Sequence, residues 1–232
     1  MTDNKKAREQ KDGDYTHIVV VLDRSGSMSG LKADTIGGFN DFLTKQQEVK
    51  GKGTLTMVHF ADDQRFIEDM SPLESLKALT NKTYDPSGSS TALLDAIGRT
   101  INRIENTLNG LEQKPDKVVF VVITDGQENS SREFSKSQIK EMIKRHEDEM
   151  DWDFVFIGAN QDAIAEGGNI GVRATNSSNY YASSRGVKCM YSSLTSNMTN
   201  YREIKRSKSG EKIGFFVTPD TEETESTEET TN

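Results

Sequence analysis

Two short apolar runs, each ending in a carboxylate, constrain this chain more than anything else in it. The first is Ile18-Val19-Val20-Val21-Leu22, followed by Asp23. The second is Val118-Val119-Phe120-Val121-Val122-Ile123, followed by Thr124-Asp125-Gly126. Runs this brief and this rich in valine read as strands buried on both faces, as in parallel sheets. Helical periodicity fills other stretches. Ile97, Ile101, Ile104, Leu108 and Leu111 recur at spacings 4, 3, 4, 3, as do Val187, Tyr191, Leu194, Met198 and Tyr201. Strands alternating with helices predict an α/β fold, a doubly wound and mostly parallel central sheet with helices on both faces. In such sheets ligands bind beyond the carboxyl ends of the strands. Asp23 and Asp125 both fall there.

The loop after the first run is Asp23-Arg24-Ser25-Gly26-Ser27-Met28. Gly26 permits a sharp turn, so Asp23, Ser25 and Ser27 can converge. Three hard oxygen donors in one loop suit a small divalent cation. One carboxylate and two hydroxyls make an incomplete cage, which other residues or waters must finish. Two further stretches can do so: Ser89-Ser90-Thr91, after the turn-rich Asp85-Pro86-Ser87-Gly88, and the strand-final Thr124-Asp125-Gly126. A solvated loop capping the next helix would explain Ser27 or Ser29. It would not explain three separate oxygen clusters.

The set Asp-x-Ser-x-Ser, then a threonine, then Thr-Asp-Gly resembles the metal-ion-dependent adhesion site (MIDAS) of von Willebrand factor type A (VWA) domains. The matching positions are Asp23, Ser25, Ser27, Thr91 and Asp125, and the resemblance covers roughly residues 14 to 206. It implies a Rossmann-like sheet with one antiparallel edge strand. It implies Mg2+ or Mn2+ as the bound ion. Ser25 and Ser27 would be direct ligands, Thr91 direct or through water, and Asp23 and Asp125 largely through water. One coordination position would face solvent and accept an Asp or Glu of a protein partner. Ser87, Ser89, Ser90, Glu128 and Asn129 are candidates for the partner-binding rim. Intracellular members of the family work with AAA+ ATPases, and this chain resembles the stand-alone intracellular kind of bacteria and their viruses. A cytoplasmic protein, with an AAA+ ATPase among its candidate partners, is therefore expected.

Two other functions compete with metal-dependent protein binding. In one, the chain is a structural subunit or adaptor whose metal only holds the loops. In the other, it is a metal-dependent phosphohydrolase. The second lacks support: Ser25 stands where an Asp-x-Asp phosphatase would carry its second acid, and there is no phosphate-binding Gly-x4-Gly-Lys-Ser/Thr loop. No enzymatic activity is expected. His17, His59 and His146 lie on different elements without ligand-like pairing and read as structural or surface residues.

A net charge of −8 with no basic stripe argues against nucleic acid as a ligand. No run approaches the roughly 18 apolar residues of a membrane span. The single cysteine, Cys189, excludes an intramolecular disulfide and suits a reducing compartment. The N-terminus is charged rather than signal-like.

Residues 1–14 read as a flexible arm, 15–206 as the VWA domain, 207–218 as an extension docked on it, and 219–232 as a disordered acidic tail. Within the domain a first helix is expected from about Leu31 to Val49, its Gly37-Gly38 pair offset by close packing against the sheet. A hairpin follows, Leu55–Phe60 with Arg65–Met70, then a short helix from Ser71-Pro72 to about Leu79. Further helices are expected over Thr91–Leu111 and Ser135–Met150, and a strand over Trp152–Gly158. A short broken helix in 159–171, a brief strand near Val172 and a last helix from Ser177 to Lys205 complete the expectation.

Overall fold

The computed structural model describes residues 15–159, 162–204 and 214–216; the expected arm and acidic tail lie outside them. The valine-rich runs become β1 (Thr16–Asp23) and β4 (Lys117–Thr124), every residue of each buried. They are joined by β2 (Gly53–Phe60), β3 (Gln64–Pro72), β5 (Trp152–Ala159) and β6 (Ser177–Tyr180). The six-stranded sheet has the order β3-β2-β1-β4-β5-β6. All pairs are parallel except β2–β3, which is antiparallel at the edge. Chain direction across the sheet switches between β1 and β4, where open α/β sheets keep their ligand crevice.

Helices α1 (Lys32–Glu48), α2 (Leu93–Asn109), α3 (Lys136–Glu149), α4 (Ala163–Asn169) and α5 (Ser184–Glu203) cover the sheet. Strand alternation assigns the faces. Ile18, Val20 and Leu22 of β1 pack with Phe39 and Phe42 of α1 and with Val187, Leu194 and Met198 of α5. Val19 and Val21 pack with Ile97, Ile101 and Ile104 of α2 and with Ile139 and Ile143 of α3. The helix-period stripes read in the sequence are these core faces.

Four local expectations are corrected. Gly38 does approach a neighbour closely, but the neighbour is α5: a Cβ there would sit 2.3 Å from the Tyr191 ring. Residues 72–79 form only a 3-10 turn at Leu73–Ser75, and Leu76 is already extended. Side chains of α1 replace the missing helical bonds. Asn40 both donates to the carbonyl and accepts from the N–H of Leu79, and Gln47 donates to the carbonyls of Leu73 and Leu76. The strand expected near Val172 lies instead at Ser177–Tyr180, which the sequence reading gives to the last helix. Pairing with β5 overrides the weak strand propensity of Ser-Ser-Asn. Helix α5 therefore starts after Ser183, whose side chain caps Gly186 N–H. Gly167-Gly168 do not break α4, which runs through both.

Within the expected extension, Phe215 is buried, its N–H donates to Asn176 Oδ1, and its ring meets Tyr201 at 6.0 Å.

Candidate metal centre

The register between the central strands builds the site. Leu22 stands opposite Ile123, so the next row brings Asp23 beside Thr124. Thr124 Oγ1 donates to Asp23 Oδ2 at 2.6 Å. The other oxygen, Oδ1, accepts the Ser25 N–H at 2.7 Å, folding the loop back over the strand end. Tyr84, fully buried, donates its hydroxyl to the Asp23 carbonyl at 2.7 Å.

From there a chain of oxygens runs outward. Ser25 Oγ lies 3.0 Å from Ser27 Oγ, and Ser27 Oγ donates to Asp125 Oδ1 at 2.7 Å. Asp23, Ser25 and Thr91 are buried, Asp125 is half-buried and Ser27 is exposed, so the cluster opens at one end. Gly126 marks the space between loops. A Cβ there would lie 3.1 Å from Thr91 Oγ1 and 3.8 Å from Asp23 Oδ2. The absent side chain leaves these two oxygens facing the same small volume.

Burial, the largest influence, raises the Asp23 carboxyl above its ordinary value; hydrogen bonds from Thr124 and Ser25 oppose it, and the Asp125 charge adds to it. Burial likewise raises Asp125, against the Ser27 hydrogen bond. Two partly desolvated carboxylates side by side favour an added positive charge. Among the described residues no group of three or more His, Cys, Asp or Glu side chains is arranged for a metal. The donors are hard oxygens, mostly hydroxyl, which fits Mg2+ or Mn2+ better than a softer ion.

Three loops are stitched together around these donors. Gly26 N–H donates to Gly88 O and Gly88 N–H to Arg24 O, a short parallel bridge between the Ser25 and Ser87–Ser90 loops. Ser29 Oγ donates to Pro86 O. Thr91 is fixed from the β4 side, its N–H donating to Asn129 Oδ1 and its carbonyl accepting Asn129 N–H. Glu128 accepts from the N–H groups of Leu94, Ser130 and Ser131. Asp95 accepts from the N–H groups of Arg132, Glu133 and Phe134.

The structure thus gathers Asp23, Ser25, Ser27, Thr91 and Asp125 at one end of the sheet. Ser87 and Ser89 are exposed beside them. Ser90 borders a neighbouring cleft of about 420 Å³ with Asp62, Gln64, Arg99 and Arg132. Glu128 and Asn129 are next to the cluster, but their side chains fasten the Thr91 loop. Asp62 and Asp63, in the turn between β2 and β3, are also engaged: Asp62 accepts Ser89 N–H, and Asp63 pairs with Arg24 and Arg65. The sequence reading missed Thr124 and Tyr84 as supports of Asp23. A threonine ending an apolar run was a usable signal for the first; nothing marked the second.

The strand order and the polar cluster at the β1–β4 switch define an open-sheet α/β domain with its candidate site at the carboxyl edge. The chain belongs to the von Willebrand factor type A domain family, whose family model matches residues 17–193. Similar solved structures include proximal thread matrix protein 1 from the mussel byssus, 16% identical with a TM-score of 0.57, covering 81% of this chain and 46% of that one. Another structure of that protein has a zinc-occupied MIDAS motif, at 15% identity, TM-score 0.56, and the same 81% and 46% coverage. The ArnB paralog VWA2 of Sulfolobus acidocaldarius is 14% identical, with a TM-score of 0.53, covering 80% of this chain and 46% of that one. At these identities the likeness is one of fold, and this chain spans 46% of the length of each. A search of curated proteins gives no match.

Proposed function

We propose that the chain is a metal-dependent protein-binding module that captures an acidic side chain of its partner. The observation that carries this reading is the convergence of Asp23, Ser25, Ser27, Thr91 and Asp125 around the space beside Gly126. A bound Mg2+ or Mn2+ would supply an electrophilic centre that a partner carboxylate can enter. Ser25, Ser27 and Thr91 would supply hydroxyl oxygens to it. Asp125 holds the Ser27 hydroxyl, and the Ser25 N–H and Thr124 bonds keep Asp23 from rotating. Ser87, Ser89 and Ser90 form the adjoining rim. The mussel protein with zinc in its MIDAS motif supports a divalent ion in this fold.

We assign the chain a binding role rather than a catalytic one, since the donors are hydroxyls and carboxylates that hold one another. An AAA+ ATPase remains a candidate partner, in a cytoplasmic setting compatible with the single Cys189. The test is capture of partners on immobilised protein with Mg2+ and again with chelator, for wild type and Thr91→Ala. Metal-dependent capture lost in Thr91→Ala supports the reading, and the partner's acids can then be replaced singly. Capture indifferent to chelator and to every single acid overturns it in favour of a structural subunit or adaptor.

A further inference from the structure

The row of residues beyond the last strand pairs leads from the candidate metal centre to a buried hydroxyl without a hydrogen-bond partner among the described residues. Thr124 stands opposite Gly158, and Gly158 opposite Asn179. The next row is Asp125, Ala159 and Tyr180, with Ala159 paired directly to Tyr180. Tyr180 and Ala159 belong to the core on the α1–α5 face, the face of Ile123 and Ile157. Asp125 is the first residue past the end of β4, two residues after Ile123. Two strand spacings, or about 10 Å between backbones, separate Tyr180 from the end of β4 that carries Asp125. A tyrosine ring reaching across Ala159 would bring its hydroxyl toward that carboxylate.

That hydroxyl is buried, and among the described residues it has no hydrogen-bond partner. Such groups are rare because desolvation without a bond is costly. Burial pushes the phenol well above its ordinary range, and among charged neighbours Asp125 acts on it most, ahead of Tyr191 and Asp23. The hydroxyl is therefore a proton donor at any ordinary pH. Ser27 engages Asp125 through Oδ1, so a second donor can approach from the sheet side. Carboxylates that serve a metal are commonly oriented by such outer hydrogen bonds.

We infer that Tyr180 is a positioning residue of the metal centre, its hydroxyl donating to the Asp125 carboxylate from the side opposite Ser27 when the site is loaded. This rests on the metal-binding reading above. Tyr191 supplies a matched control. Its hydroxyl is also buried and, among the described residues, unpartnered, but burial alone raises its pKa.

The experiment titrates the full chain with Mn2+ alone, by calorimetry, for wild type, Tyr180→Phe and Tyr191→Phe. Melting temperatures of the metal-free proteins report folding, and near-ultraviolet circular dichroism reports tyrosine environment as Mn2+ is added. Tyr180→Phe should weaken Mn2+ binding by roughly tenfold and remove the metal-induced tyrosine signal. Tyr191→Phe should leave both unchanged, with the two variants melting alike. Equal affinity in all three proteins, or equal weakening in both variants, overturns the assignment while leaving the metal site intact. A wild-type chain that does not bind Mn2+ overturns the metal reading and this inference with it.

Discussion

Thr124 donates its hydroxyl to Asp23 across the β1–β4 pair, at 2.6 Å and with both residues fully buried. Asp23 also accepts from Ser25 N–H, so its two oxygens are held from different strands' ends. Thr124→Val keeps the shape and leaves one buried carboxylate oxygen without its donor. The expected cost is about 1–3 kcal/mol of stability, read by urea denaturation, together with weaker metal binding. Thr124→Ser should recover most of both. A valine variant as stable as wild type would show that the bond is dispensable.

Gly126 tests the space between the loops. An alanine there would set its Cβ 3.1 Å from Thr91 Oγ1. Gly126→Ala should therefore damage Mg2+ or Mn2+ affinity more than it damages the metal-free melting temperature. An unchanged metal-induced rise in melting temperature would mean that Thr91 and Asp23 do not share that volume when loaded.

Acid should destabilise the domain before most carboxylates titrate. Burial, the leading cause in each case, lowers His17 to about 3 and His59 to about 4, from 6.5. Below about pH 6.5 the unfolded chain takes up protons that the native chain refuses. Stability is thus complete above that pH and is lost as pH falls toward 4 and then 3. Each histidine contributes a slope of roughly 1.4 kcal/mol per pH unit inside its window. Denaturation midpoints between pH 7 and 4 measure the slope, and His59→Phe should reduce it. A flat profile from pH 6.5 to 4.5 would contradict the buried neutral histidines.

Asp95 anchors the loop after β4 through three backbone N–H groups. Burial acts against its charge, yet these bonds outweigh it and lower its pKa. Asp95→Asn turns an amide donor toward that nest of donors and weakens charge-assisted bonds. About 2 kcal/mol of stability should be lost, whereas the exposed control Glu112→Gln should stay within about 0.5 kcal/mol. Comparable small effects would remove Asp95 as an anchor.

The sheet and the gathering of Asp23, Ser25, Ser27, Thr91 and Asp125 at its carboxyl edge were legible because each carried a strong local signal. Buried parallel strands concentrate valine, and β4 (Lys117–Thr124) contains the whole apolar run Val118–Ile123. What escaped reading depends on partners far away in sequence. Ser177–Tyr180 is a strand only because β5 offers an edge. Residues 76–79 stay out of a helix, with the Leu79 backbone satisfied by Asn40, 39 positions away, and the Leu76 carbonyl by Gln47. Glu128 and Asn129 look like surface polars in sequence, and only the fold shows that they hold the Thr91 loop. Tyr84 is silent in sequence because a tyrosine in a loop says nothing about a carbonyl 61 residues away.

The two borders of the sheet bear on how copies of this domain can meet. Strand β3 is antiparallel, interrupted by register shifts near Met57, and carries Arg65, Glu68 and Asp69. Strand β6, at the other border, is four residues long. Charge, irregularity and brevity are devices that stop a neighbouring chain from adding itself as a further strand. Addition of a further strand is thus disfavoured at both borders, which leaves the loop end of the sheet as the face where a partner meets least resistance.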